Sequence, residues 1–241
     1  MPDQARGPST ASDRLAPLRN HPLFKGFGAD LIAHLGAGAT TRKIARDTTI
    51  FSKGDPGVGL IVVCSGVVKI CIQSPDGREV VLNLVYDGEI FGEIALLDGR
   101  PRTADAVAMS DCELMTIERR NFLSILNEEP TVALKVIELL CERLRWTSQK
   151  VEEVMFLNLP GRLAKTVLRL SEKAGASAQR RLTITQHELS QLVGMSRENT
   201  NRQLRDWEKR KWVKLERGSL VVLASGALAA VAESDAEGDR H

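Results

Sequence analysis

Two short runs of this sequence carry side chains able to do chemistry. The first is Phe91-Gly-Glu-Ile-Ala-Leu-Leu-Asp-Gly-Arg-Pro-Arg-Thr-Ala104, which sets a carboxylate, Glu93, nine residues ahead of a guanidinium, Arg102, in mostly apolar surroundings. An isolated charge in such surroundings is costly unless something polar meets it. The planar fork of Arg102 suits a phosphate, and Glu93 can accept hydrogen bonds from sugar hydroxyls. The Gly92 and Glu93 amides open a short helix, whose N-terminus attracts an anion. The run reads as a cradle for a polar, anionic small molecule; a direct Glu93–Arg102 salt bridge without a ligand is the alternative.

The second run is Ile184-Thr-Gln-His-Glu-Leu-Ser-Gln-Leu-Val-Gly-Met-Ser-Arg-Glu-Asn-Thr-Asn-Arg-Gln-Leu-Arg205. Thr185 and Glu188 form a capping box, so a helix starts there. Leu189, Leu192 and Val193 give it an apolar face, and Gly194 ends it in a tight turn. Ser196 caps a second helix, which turns Thr200, Leu204 and Trp207 inward. Two short helices joined in this way make a helix-turn-helix. Arg197, Glu198, Asn199, Asn201, Arg202 and Arg205 remain on or near the outer face. Such a helix fits the major groove: Arg bonds guanine O6 and N7, and Glu accepts from cytosine N4.

Charge is distributed to match. Residues 161–224 hold 14 Lys and Arg against 6 Asp and Glu, while residues 1–160 hold 18 against 21. A basic module on a mildly acidic body points to a polyanion partner for that module alone. Before it, Ile44–Phe51, Leu60–Cys64, Val67–Gln73, Val80–Val85 and Ala104–Thr116 are rich in Val and Ile. Turn signals at Lys53-Gly54-Asp55-Pro56-Gly57, Ser65-Gly66, Pro75-Asp76-Gly77 and Asp87-Gly88 separate them. This spacing predicts an antiparallel sandwich or barrel. A long helix follows from Pro130. Its residues Ile137, Cys141, Leu144, Ser148, Val151 and Met155 are spaced 4, 3, 4, 3, 4, a heptad seam suited either to a second copy of the chain or to packing on the chain's own sheet. Leu159-Pro160-Gly161 is a hinge candidate. Then come an amphipathic helix (Arg162–Lys173), a polar loop (Ala174–Arg181), the two short helices, and a hairpin (Trp212–Glu216 and Leu220–Leu223) turning at Arg217-Gly218.

Several classes of function are not expected. No nucleophile–base set and no Walker motif is present, so the chain does not read as an enzyme. Cys64, Cys71, Cys112 and Cys141 form no CxxC pair and lack His at ligand spacing, so no metal site is expected and the four read as reduced, small hydrophobes. The first twenty residues are polar, and the longest apolar stretch, Leu220–Ala232, is interrupted by Ser225 and Gly226. A bilayer span needs ~20 residues, so no membrane association is expected and the chain is placed in the cytoplasm.

Ser196-Arg197-Glu198 followed by Arg202 resembles the recognition helix of the Crp/Fnr family, in particular its cyclic-AMP receptor branch. The Glu93–Arg102 run resembles the phosphate-binding cassette of cyclic-nucleotide domains. Arg143-Leu-Arg-Trp-Thr-Ser-Gln-Lys-Val151 resembles that branch's central helix. The resemblance covers roughly residues 22–224 and implies a homodimeric, cytoplasmic transcription regulator controlled by a cyclic nucleotide. It implies that Arg102 and Thr103 hold the cyclic phosphate beside Gly92, and that Glu93 holds the ribose. Thr147 and Ser148 would bond the adenine amino group, Ser148 reaching it from the partner subunit, with Arg143 nearby. Arg197 and Arg202 would read guanines and Glu198 a cytosine of a TGTGA half-site. Thr185, Ser196, Asn199 and Arg205 complete the expected DNA contacts, with Asn199 departing from the usual Thr. His187 either touches a phosphate or faces solvent. Cyclic AMP is favoured and cyclic GMP stays open, since Thr103 also suits a guanine amino group. Contact with RNA polymerase is implied as well. A family regulator that needs no cyclic nucleotide, or a different effector, is the alternative.

The expected fold is α+β. It comprises a flexible segment (1–20), a jelly-roll-like cyclic-nucleotide-binding β-roll (21–129), a dimerisation helix (130–158), a hinge (159–161), a winged helix-turn-helix (162–224) and an acidic tail (225–241).

Overall fold

The computed structural model describes residues 15–21, 23–74, 77, 79–173 and 180–237. The chain divides into two compact units, residues 1–72 with 82–142 and residues 73–81 with 143–241.

In the first unit, helices α1 (Ala16–Asn20) and α2 (Ala29–Gly36) precede eight strands. These are β1 (Thr40–Ile44), β2 (Thr49–Phe51), β3 (Gly59–Ser65), β4 (Val68–Gln73), β5 (Glu79–Val85), β6 (Ile90–Phe91), β7 (Asp105–Ala108) and β8 (Cys112–Glu118). A short helix, α3 (Glu93–Asp98), sits between β6 and β7, and α4 (Arg119–Glu128) follows β8. The strands form two four-stranded sheets, ordered β1-β8-β3-β6 and β2-β7-β4-β5. Successive side chains of a strand point to opposite faces, and β3 uses both. Leu60 and Val62 enter a core with α1, α2, α4 and the start of the long helix, whereas Ile61 and Val63 enter the core between the sheets. A strand covered on both faces reads as an unbroken apolar run, which is why Leu60–Cys64 shows no alternation.

Two expected strands are in fact four. Ile44–Phe51 breaks at Ala45–Thr48, and Ala104–Thr116 breaks at Met109–Asp111. In each case the chain leaves one sheet and enters the other. The two crossings are tied together: the Asp47 amide donates to the Ala108 carbonyl at 2.8 Å and the Arg46 amide to Asp111 Oδ1 at 3.0 Å. An apolar pattern persists through such a crossing because both sheets face the same core. Helices α2 and α4, on either side of the strands within residues 21–129, are not among the expected elements. Residues 15–20 are not a loose lead-in, since Leu18 is completely buried in the first core. The expected turn residues Pro75 and Asp76 lie outside the described residues, as do residues 1–14 and most of the expected loop 174–181.

Helix α5 (Pro130–Phe156) is continuous for 27 residues. Val132 and Val136 bury one stripe of it in the first core. The heptad seam is a different stripe: Ile137, Leu144, Val151 and Met155 are 55%, 68%, 54% and 70% exposed. In the first unit, which holds the sheets, the seam residue Ile137 is thus left exposed instead of packed on them. Cys141 is exposed on this seam, unlike the other three cysteines, which are buried or half-buried; all four are free thiols. Burial pushes the Cys64 thiol up to about 11, so it is an unreactive hydrophobe.

The second unit gathers α6 (Leu159–Lys173), β9 (Arg180–Leu182), α7 (Gln186–Val193), α8 (Arg197–Lys209), β10 (Val213–Glu216), β11 (Ser219–Val222) and α9 (Ser225–Glu237) around one core. Three features depart from the expected order. Leu159, Pro160 and Gly161 form the first turn of α6, where Pro needs no amide partner, and the residues between the helices are Leu157 and Asn158. Asn158 Oδ1 accepts from the Gly161 amide at 3.0 Å. Arg180–Leu182 is a strand that extends the hairpin to a three-stranded sheet, β10-β11-β9. The expected acidic tail is largely α9, and its Leu228 is fully buried in the core. Leu228→Ala is therefore expected to lower unfolding stability by about 2–4 kcal/mol, the usual cost of such a cavity. Urea denaturation checks this, and a loss below about 0.5 kcal/mol would contradict it. Among the described residues, no helix is long and apolar enough to cross a membrane.

Candidate functional site

In the first unit, β6 delivers the chain to Gly92, which has φ +84° and caps α3. A Cβ here would collide with the Arg102 guanidinium, so both the backbone conformation and the close approach require glycine. Glu93 opens α3 and is 2% exposed, and Arg102 is 5% exposed. The backbone of Arg102 is laddered to the 52–55 turn: its amide donates to the Asp55 carbonyl at 2.8 Å, and the Gly54 amide donates to its carbonyl at 2.9 Å. Asp55 Oδ2 tightens that turn by accepting from the Ser52 amide at 2.8 Å.

The guanidinium is held on three sides. Nη1 donates to the Gly92 carbonyl at 2.6 Å and Nη2 to the Gly59 carbonyl at 2.9 Å. The fork lies 4.3 Å from the centre of the Phe51 ring, which itself packs 5.8 Å from Phe91. Burial holds the Arg102 pKa below its ordinary value, and the charges of Glu93 and Asp55 offset only part of that. Nε is buried and has no hydrogen-bond partner among the described residues. A buried guanidinium with an unsatisfied donor fits an anion that brings acceptors. Phe51, Asp55 and Gly59 therefore support the cassette, although the sequence marked only the turn around Asp55. Thr103 follows Arg102 and is exposed.

Arg143, Thr147 and Ser148 lie on α5, in the second unit. Thr147 Oγ1 donates to the Arg143 carbonyl at 2.8 Å, and Thr147 and Ser148 are exposed.

The helix-turn-helix forms as its local chemistry dictates. Thr185 Oγ1 accepts from the Glu188 amide at 3.1 Å, and Glu188 Oε2 accepts from the Thr185 amide at 2.7 Å. Gly194 takes the left-handed conformation, φ +69°, that ends α7. Ser196 Oγ accepts from the Asn199 amide at 3.2 Å, and Thr200 Oγ1 donates to the Ser196 carbonyl at 3.1 Å. Thr200, Leu204 and Trp207 bury the inner face of α8. Glu198, Asn201, Arg202 and Arg205 line a groove along the outer face. Arg202 Nη2 donates to Asn199 Oδ1 at 3.1 Å, which holds the fork in place and gives Asn199 a task within the helix. Arg197 is exposed at the helix start. His187 is exposed on α7, its Nε2 3.2 Å from Gln191 Nε2. Thr185 and Ser196 thus serve as caps in addition to any part at DNA. Among the described residues, no group of His, Cys, Asp and Glu could hold a metal ion.

Residues 41–129 match the cyclic nucleotide-binding domain family and residues 161–231 the Crp-like helix-turn-helix domain family. The second match runs past residue 224 into α9. The CRP-like cAMP-activated global transcriptional regulator of Mycobacterium tuberculosis is 33% identical over 211 residues, covering 86% of this chain and 94% of that protein. The cyclic AMP receptor protein of Thermus thermophilus is 32% identical, covering 89% of this chain and 98% of that protein. Among solved structures, the c-di-GMP responsive global regulator CLP of Xanthomonas campestris superposes with a TM-score of 0.72 at 27% identity, covering 81% of this chain and 99% of that one. A carbonyl-braced Arg beside a buried acid, a capped helix pair with an Arg-Glu-rich outer face, and relatives matched along nearly their whole length place this chain in the Crp/Fnr family of DNA-binding transcription regulators, with a cyclic-nucleotide-binding domain and no enzymatic role.

Proposed function

We propose that the chain acts as a homodimer whose grip on a palindrome of TGTGA half-sites is controlled by cyclic AMP. The observation that carries the ligand half is Arg102, a buried guanidinium with one donor unsatisfied beside buried Glu93. Arg102 and Thr103 hold the cyclic phosphate over Gly92, and Glu93 holds the ribose. Thr147 and the partner subunit's Ser148 bond the adenine amino group, with Arg143 near them. Arg197 and Arg202 read guanines and Glu198 a cytosine, while Thr185, His187, Ser196, Asn199 and Arg205 position the backbone. Two recognition helices then face successive major grooves, ~34 Å apart. Leu157 and Asn158, between α5 and α6, serve as the hinge in place of the helical residues 159–161. Contact with RNA polymerase and a cytoplasmic location follow from this role. The effector must bind the DNA-competent state better than the other, and DNA must tighten effector binding in return.

The test is calorimetry of the full chain with cyclic AMP, cyclic GMP, cyclic di-GMP and AMP, paired with operator binding. Cyclic di-GMP is included because the Xanthomonas regulator is described as responsive to it. Cyclic AMP is expected to bind most tightly, to strengthen operator binding, and at about a hundredfold excess over Kd to add roughly 2.7 kcal/mol of stability. Equal operator affinity with and without every nucleotide, and no thermal shift, would overturn the sensing half and leave a regulator with another effector or none.

The exposed seam of α5 carries the dimer. Sedimentation is expected to show a dimer at micromolar concentration, and Leu144→Glu to shift it toward monomer by placing a charge in each half of the seam. A wild-type monomer with and without cyclic AMP would contradict the assembly.

A further inference from the structure

Glu153, near the end of α5, belongs to neither set of binding residues, yet its side chain is only 3% exposed. Three cations surround it. Lys150, on the same helix, places Nζ 3.0 Å from Oε2. Lys165 and Arg169, one turn apart on a single face of α6, place Nζ and Nη1 3.4 Å and 3.2 Å from Oε1. Arg169 is braced in turn by Thr166, to which Nη2 donates at 3.4 Å. Burial raises the Glu153 pKa, but the hydrogen bond from Lys150 and the three positive charges outweigh it and hold the carboxyl below its ordinary value. Only Leu157 and Asn158 separate the two helices.

We propose that Glu153 is a positioning residue for DNA reading, a clamp that fixes the angle at which the helix-turn-helix leaves the long helix. Among the described residues, this carboxylate is the acidic group that pairs with both Lys165 and Arg169 of α6 and draws them toward α5. Without it three cations face one another, and their repulsion in a half-buried setting drives the helices apart. The change reaches the recognition helix because Leu163 and Val167 of α6 share a core with Leu189, Leu204 and Trp207 of α7 and α8. The module therefore turns as a body with α6. In a dimer, two such turns set the distance between the recognition helices, and hence the half-site spacing that fits them.

The inference rests on the DNA-reading dimer proposed above, and the test separates the two. Full-length wild type, Glu153→Gln, Arg169→Gln and the double variant are compared, with cyclic AMP present, on operators whose half-site spacer is varied base pair by base pair. Amide hydrogen exchange of residues 157–164 is measured in parallel. Wild type is expected to prefer one spacer. Glu153→Gln is expected to lose about tenfold of that preference and to exchange faster at 157–164, with Leu204 and Trp207 unchanged. Arg169→Gln loses less, because Lys165 remains, and the double variant is no worse than Glu153→Gln, as for groups acting through one contact. A Glu153→Gln protein that keeps the wild-type spacer preference overturns the clamp. If wild type itself has no preferred spacer, the dimeric reading fails and exchange decides: unchanged exchange at 157–164 overturns the clamp, and faster exchange there supports it. Should Glu153→Gln not fold, Arg169→Gln and Lys165→Gln carry both measurements.

Discussion

Arg102→Leu is expected to abolish measurable cyclic AMP binding. Truncating one member of a buried, hydrogen-bonded charge contact costs about 2–5 kcal/mol of affinity, and Arg102 is the guanidinium in the cassette whose burial leaves a donor unsatisfied. The leucine also leaves the Gly92 and Gly59 carbonyls without their donor, so some loss of roll stability accompanies the loss of binding. Arg102→Lys separates the two effects. It keeps a cation above Phe51 but not the planar fork, so it should recover part of the stability and little of the affinity. Calorimetry and thermal unfolding, each with and without cyclic AMP, give both quantities. Cyclic AMP binding by Arg102→Leu within about threefold of wild type, well inside the cost above, would sink the assignment. Ser148→Ala should behave differently. On the proposed assignment it removes only a contact to the base, so it should weaken discrimination between cyclic AMP and cyclic GMP more than binding itself.

The second large effect is expected at Arg202. Its fork is exposed on the outer face of α8 and pre-oriented by Asn199 Oδ1. A pre-oriented guanidinium loses less freedom on meeting guanine O6 and N7. Arg202→Ala should cost about 1–3 kcal/mol per half-site and relax the preference at one guanine only. The measurement is affinity for a set of operators carrying every base at each half-site position. A uniform loss across all sequences, with selectivity intact, would make Arg202 a phosphate contact. Arg205→Ala should show that uniform pattern, with a shallower dependence of log affinity on log salt.

The DNA-reading half was legible in the sequence because its determinants are local. The capping box of Thr185 and Glu188, the left-handed Gly194 and the Ser196 cap each close within three or four residues, so residue type and spacing suffice. The same holds for the heptad of α5, whose outward-facing residues follow from helical period alone. Glu93 and Arg102 were legible as a pair of charges in an apolar run. What surrounds Arg102 was not. Its side-chain acceptors are carbonyls 10 and 43 residues away, and a carbonyl carries no signature in residue type.

Tertiary structure alone decided the remainder, for related reasons. Ile44–Phe51 and Ala104–Thr116 each split between two sheets, because an apolar alternation does not record which sheet a strand joins. Residues 225–237 read as an acidic tail by charge, yet form α9, because Leu228, with Val231 and Ala232 beside it, finds a core built from six other elements. Glu153 carries no local signal that sets it apart from the other charges of α5. It becomes a buried junction of three cations only once α6 folds back after Leu157 and Asn158. Local hydrogen-bond chemistry is written in neighbouring residues, whereas burial depends on which distant segments arrive, and that is settled by the packing of the whole unit.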